Sequence, residues 1–123
     1  NFCRSMMVKL ICKEKKIIVG ERIIVAKSFL SRLKGLMFDR SLGAEFDGML
    51  IKPCNSIHTF FMNYSIDVVF LNKDYKVIKI MRNLRPWRMT GIYFRASQVL
   101  EIKSGFLPKE ISVDDQLDEI CIN

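Results

Sequence analysis

Ile66-Asp67-Val68-Val69-Phe70-Leu71, followed by Asn72-Lys73-Asp74 and the run 75–81, is the stretch on which the fold turns. Residues 68–71 show no polar alternation, so both faces of this strand must be covered, which places it inside a sheet rather than at an edge. Asn72-Lys73-Asp74 is a hairpin loop by its chemistry, since Asn and Asp accept turn conformations and bond nearby backbone. Working outward, apolar runs at 7–12, 16–19, 22–26, 49–51, 58–62, 98–102 and 116–122 read as further strands. Lys13-Glu14-Lys15 and Gly20-Glu21 punctuate the first three as an antiparallel meander. At Ser28 the period changes: Phe29, Leu30, Leu33, Leu36 and Met37 recur at helical spacing, with Ser28 as the N-cap oxygen. The expected fold is therefore α+β, one compact β-rich domain over residues 1–123. A curved antiparallel or barrel-like sheet carries one main helix, residues 28–37, packed on it. Residues 84–94, with Pro86 and Gly91, read as an irregular loop, and residues 1–6 as a processed or disordered end.

A chain of 123 residues that is 50% hydrophobic and 27% charged can bury roughly two-thirds of its surface as one domain. That apolar content excludes a disordered segment, and no apolar run reaches the roughly 18 residues of a membrane-spanning helix. Twenty Lys and Arg against thirteen Asp and Glu give a net charge of +7, which favours association with a polyanion or an acidic protein surface without naming one. Cys3, Cys12, Cys54 and Cys121 lack zinc-ribbon spacing and read as free, buried thiols of a monomeric cytoplasmic protein.

The chemistry-bearing residues concentrate in Pro53-Cys54-Asn55-Ser56-Ile57-His58-Thr59-Phe60-Phe61-Met62, which holds the sole His. A Cys54–His58 nucleophile–base pair would suit a hydrolase or transferase. Extended backbone after Pro53 would separate the two by roughly 13 Å, however, and favours a structural His. Met37, Met49, Met62, Met81 and Met89 could join them as soft copper ligands, but methionine is also the ordinary gap-filler of small cores, so no metal and no cofactor are expected. From Lys76 through Arg95 there is no carboxylate, while Lys79, Arg82, Arg85 and Arg88 surround Trp87. An indole between guanidiniums suits a base, a sugar or an acidic peptide, and the stretch is the candidate for RNA or polyanion binding. Asp67 and Glu101 lie in apolar strands, where a carboxylate usually bonds to backbone. One His, no paired carboxylates at helical spacing and no phosphate-binding glycine loop favour a non-catalytic binding or accessory module. Its expected ligand site gathers Asn55, Ser56, His58 and Thr59 at the mouth of the 58–62 strand. Asp67 would fix the His58 tautomer, and Trp87, Arg85 and Arg88 would form a lid.

Several of these motifs agree in order along the chain: Arg32 with Gly35-Leu36-Met37, Gly48-Met49-Leu50, His58-Thr59-Phe60-Phe61-Met62, Ile66 to Leu71, Pro86-Trp87, and Val99-Leu100-Glu101-Ile102 with Gly105. Together they resemble the bacterial and archaeal family called domain of unknown function 192, over about residues 25–120. The resemblance implies a compact β-rich fold with small helices and no established enzymatic activity. Two positions depart from the family pattern. Ser65 stands where the family often has Pro, and Asp114-Asp115 stands where it has a Gly-Asp turn, replacing a glycine free to adopt left-handed backbone.

Overall fold

Every residue of β4 (Ile66–Leu71) is buried, because the strand is paired on both sides. β5 (Val77–Leu84) lies along one edge of it and β6 (Gln98–Lys103) along the other, both antiparallel. The intervening hairpin closes as its residues dictate: the Asn72 Oδ1 accepts from the N–H groups of Asp74 and Lys76, both at 2.9 Å. The structure is a computed structural model and describes residues 6–27, 46–60 and 62–122. The remaining strands are β1 (Met7–Cys12), β2 (Ile17–Ala26), β3 (Gly48–Ile51) and β7 (Asp118–Cys121), and the sheet runs β5-β4-β6-β3-β2-β1-β7.

The fold class is accordingly all-β and not α+β: the described residues contain no helix and form one open seven-stranded sheet. The expected helix over residues 28–37 lies outside the described residues, so the helical period that suggested it adds nothing to the architecture described. The sheet is also mixed. β2 and β3 run parallel, with Ile23 opposite Gly48, while the other pairs are antiparallel. Gly20-Glu21 does not break the chain; β2 passes through it, and the β1–β2 register shifts around Leu10, opposite Gly20, where a glycine marks a bulge. His58, Thr59, Phe60 and Met62 lie in no strand, and His58 makes only an isolated bridge to Met89.

Both faces of the sheet are apolar, which explains the unbroken burial of β4. One face gathers Leu10, Ile23, Leu50, Val69, Val77 and Leu100, with Leu107, Ile111 and Leu117 from the segment after β6. Since this cluster joins strands from opposite ends of the sheet order, the sheet must curve around it. At one end the edges come close enough to bond: Lys76 bridges Gln116, and the Val77 N–H donates to the Asp115 carbonyl at 2.9 Å. The other face carries Ile66, Val68, Phe70, Ala96 and Val99, and a smaller group of Ala26, Met49 and Ile51. A Cβ at Gly48 would press on the Glu101 carbonyl oxygen and meet Ile102 at 3.0 Å, so glycine is what lets β3 lie flat against β6. Asp114 sits at a φ of 76°, the left-handed geometry expected where the similar family carries glycine.

The thiols divide. Cys12 is buried and Cys54 half-buried, neither in a disulfide, and Cys121 is exposed and disulfide-bonded. This corrects the expectation of buried free thiols at Cys121, and with it the cysteine-based argument for a reducing compartment. Among the described residues no helix is long and apolar enough to cross a membrane.

Candidate binding site

Residues 54–59 and 87–97 run antiparallel as an irregular ribbon outside the sheet. The Thr59 N–H donates to the Arg88 carbonyl at 2.8 Å, the Thr90 N–H to that of Ile57 at 3.0 Å, and the Tyr93 N–H to that of Asn55 at 3.0 Å. Its inner side packs on the second face of the sheet through Cys54, Ile57 and Tyr93, with the Tyr93 ring 4.5 Å from that of Phe70. Its outer side is wet: the bridged pair His58 and Met89 are both exposed, and bridge partners share a face.

Thr59 fixes the geometry of the outer side. It is fully buried, and its hydroxyl donates to the Arg85 carbonyl at 2.6 Å while accepting from the Arg88 N–H at 2.9 Å. Its carbonyl accepts from the Trp87 N–H at 3.1 Å. Three contacts therefore hold the turn in which Trp87 sits at a φ of 63°, a backbone conformation that L residues seldom adopt unless their surroundings impose it. The result is an indole 58% exposed and stacked on Phe60, centroids 5.8 Å apart, which in turn stacks on His58 at 4.8 Å. The His58 Nδ1 accepts from the Phe60 N–H at 3.3 Å. Thr59→Val should lower stability by about 1–2 kcal/mol in urea unfolding, because the Arg88 N–H loses a buried acceptor. A change below a few tenths of a kcal/mol would remove Thr59 from this role.

The expected site residues separate into three places. His58 and Trp87 converge through Phe60, flanked by exposed Arg85 and Arg88. Asn55 and Ser56 instead line a concavity of about 390 Å³ with Pro53, Cys54, Ala96 and Ser97. Asp67 is buried, its two oxygens accepting from the Asn83 N–H at 2.9 Å and the Gly105 N–H at 3.1 Å. It is a backbone anchor, as expected of a strand carboxylate, and the Nδ1 of His58 meets the Phe60 N–H instead. Cys54 and His58 diverge as well: Cys54 packs inward and its Sγ donates to the Ser56 carbonyl at 3.0 Å, whereas His58 points outward. The methionines divide: Met62 and Met81 pack in one core cluster, Met49 in another, and Met89 is 68% exposed; Met37 lies outside the described residues. Among the described residues no three His, Cys, Asp or Glu side chains gather as a metal site. Within the basic stretch, Arg82 donates to the carbonyls of Leu107 and Pro108, leaving Arg85 and Arg88 beside the stack.

Two groupings were not anticipated. Met89, Ile92 and Phe94 are exposed on the segment that follows Trp87. Their signal was already present as large apolar residues inside a stretch lacking the periodicity that would bury them. Elsewhere the Tyr75 hydroxyl donates to Glu119 at 2.8 Å and accepts from the Lys52 ammonium at 3.0 Å. Burial, then the Glu119 carboxylate, hold that phenol well above its ordinary range. Lys52, Tyr75 and Glu119 come from three distant segments, so spacing could not reveal them.

A profile of the family described as "Uncharacterized ACR", domain of unknown function 192, matches residues 11–118. A UPF0127 protein of Pyrococcus horikoshii is 37% identical over 86 residues, which covers 66% of this chain and 71% of that protein. Two solved structures share the fold. A protein of unknown function from Novosphingobium aromaticivorans superposes with a TM-score of 0.71 at 24% identity, covering 91% of this chain and 83% of that one. A Sinorhizobium meliloti protein gives 0.74 at 21% identity, with 92% of each chain covered.

Proposed function

We propose that this chain, which belongs to the domain of unknown function 192 family, is a non-catalytic binding module. Its recognition face is the stack of His58, Phe60 and Trp87 with Arg85 and Arg88 as a cationic rim. The observation that carries this reading is the Trp87 turn. A fully buried threonine holds a left-handed backbone residue so that its indole stands in solvent, where an unconstrained apolar ring would fold down. Backbone strain persists where the surrounding structure over-determines it, and such strain concentrates at ligand sites. Aromatic stacking area beside guanidinium groups suits a ligand that is anionic and partly apolar or planar.

Trp87 is the sole tryptophan, so its emission reports the site directly. Titration with decauridylate, inorganic polyphosphate and anionic lipid vesicles at low and moderate salt should shift or quench that emission with at least one probe. Arg85→Ala/Arg88→Ala should weaken the response at least about fivefold. Unchanged emission with every anionic probe at low salt ends this reading. Rapid alkylation of Cys54 by iodoacetamide near pH 6 would instead reinstate a nucleophilic enzyme.

A further inference from the structure

The ribbon that presents Trp87 carries a second pattern beyond the stacked rings. Phe94 is 86% exposed, Met89 68% and Ile92 57%. With Trp87 on the same segment they leave on the order of 500 Å² of apolar side chain in water, the scale of apolar surface that marks interaction sites. The alternation has a cause. Tyr93 turns inward onto Phe70 and Ala96 is buried in the same cluster, which leaves the intervening residues no core to enter. Arg85, Arg88 and Arg95 are all exposed on this segment, and no carboxylate occurs anywhere in residues 76–100.

Resting on the binding-module reading, we propose that this face docks on an anionic phospholipid bilayer, with Ile92, Phe94 and Met89 entering the headgroup–acyl boundary and the arginines meeting lipid phosphates. Two observations single out this occupant. Met89 and Ile92, 68% and 57% exposed, have no counterpart in stacking recognition of nucleic acid, which uses rings and backbone charge. Interleaving of those apolar residues with cations, without acidic residues between them, is the pairing that interfacial membrane segments use: apolar burial supplies depth and Lys or Arg attraction supplies selectivity for negative lipid. Trp87 suits the same boundary, since an indole is apolar across its ring and carries one polar N–H.

The test is sedimentation of the full chain with phosphatidylcholine vesicles, with and without 30 mol% phosphatidylserine, together with quenching of Trp87 by brominated lipid. Binding to the serine-containing vesicles alone, with a blue-shifted and quenched Trp87, is the expected result. Ile92→Ser/Phe94→Ser should weaken it at least about tenfold with an unchanged melting temperature, since both side chains lie in water. Arg88→Ala and Arg95→Ala should each weaken it about fivefold. The proposal is overturned if anionic vesicles fail to bind at low salt. It is equally overturned if Ile92→Ser/Phe94→Ser leaves binding intact, which would indicate mere adsorption of a basic chain. Self-association without lipid that the same double variant abolishes would assign the patch to a second copy and overturn the proposal too. If decauridylate or polyphosphate moves the Trp87 emission and vesicles do not, the bilayer is wrong and the recognition face stands; if none of the three does, both fall.

Discussion

Asp67→Ala should destabilise the protein by about 3–4 kcal/mol, measured as the loss of unfolding free energy in urea at pH 7. Asp67 lies on central β4, 3% exposed, and each carboxylate oxygen accepts one backbone N–H, from Asn83 and from Gly105. Both donors have left-handed backbone, at φ 56° and 91°. Asn83 lies in the register shift of β5, between the Met81–Val68 and Leu84–Ile66 pairs, and Gly105 follows β6. One buried side chain thus holds the irregular backbone of one flanking strand and the turn after the other. Removing it leaves two N–H groups at part-buried positions without their acceptor, each costing about 1–3 kcal/mol, and opens a small void as well. Asp67→Asn keeps one acceptor but sets an amide N–H against the second donor, so its loss should fall between wild type and alanine. A loss under about 1 kcal/mol for Asp67→Ala would mean that water replaces the carboxylate at both N–H groups.

That anchor shows where sequence reasoning reached and where it stopped. The interior position of β4 followed from residues 68–71 alone, because two-sided burial leaves a local signature, and the Asn72 hairpin followed from turn chemistry. Asp67 as a backbone acceptor was legible in kind, though the N–H groups it holds lie sixteen and thirty-eight residues away in the chain, beyond any local pattern. The parallel pairing of β2 with β3 was not legible, since strand order depends on which edges meet after collapse. Residues 58–62 misled for a related reason. Their alternating rings look like a strand, but Thr59 donates and accepts within the 85–88 turn instead of a sheet, and no propensity encodes that exchange. His58 and Trp87 were paired from chemistry and do converge, yet through Phe60, a ring that reads as core in an aromatic run. A clear 3.6-residue period over residues 28–37 set the expected fold class, while the architecture of the described residues is built from seven strands that lie elsewhere.

Glu101 gives the second large effect, and it is one of pH. The residue sits in the middle of β6, opposite Met49 on β3 and Val68 on β4, with Val99 and Lys103 two positions away on its own face. Lys103 is directed to the Tyr64 ring, 5.6 Å from its centroid, and no salt bridge or hydrogen bond reaches the Glu101 carboxyl among the described residues. Burial among apolar neighbours pushes that carboxyl from 4.5 up to about 7, although the residue as a whole keeps some contact with water. Between those two values the folded chain holds a proton that the unfolded chain has released. The unfolded state therefore binds fewer protons, and stability falls as pH rises from about 4.5 through 7. The full displacement would be worth about 3 kcal/mol, and partial exposure trims it to about 2. Glu101→Gln keeps the shape of the neutral acid and cannot ionise. Its stability should match wild type near pH 4.5 and exceed it by about 2 kcal/mol at pH 8, with the difference opening between those values. Urea unfolding of both proteins at four pH values measures this directly. A difference that stays flat with pH would mean that the folded carboxyl ionises at its ordinary value, because water reaches it between Met49 and Val68.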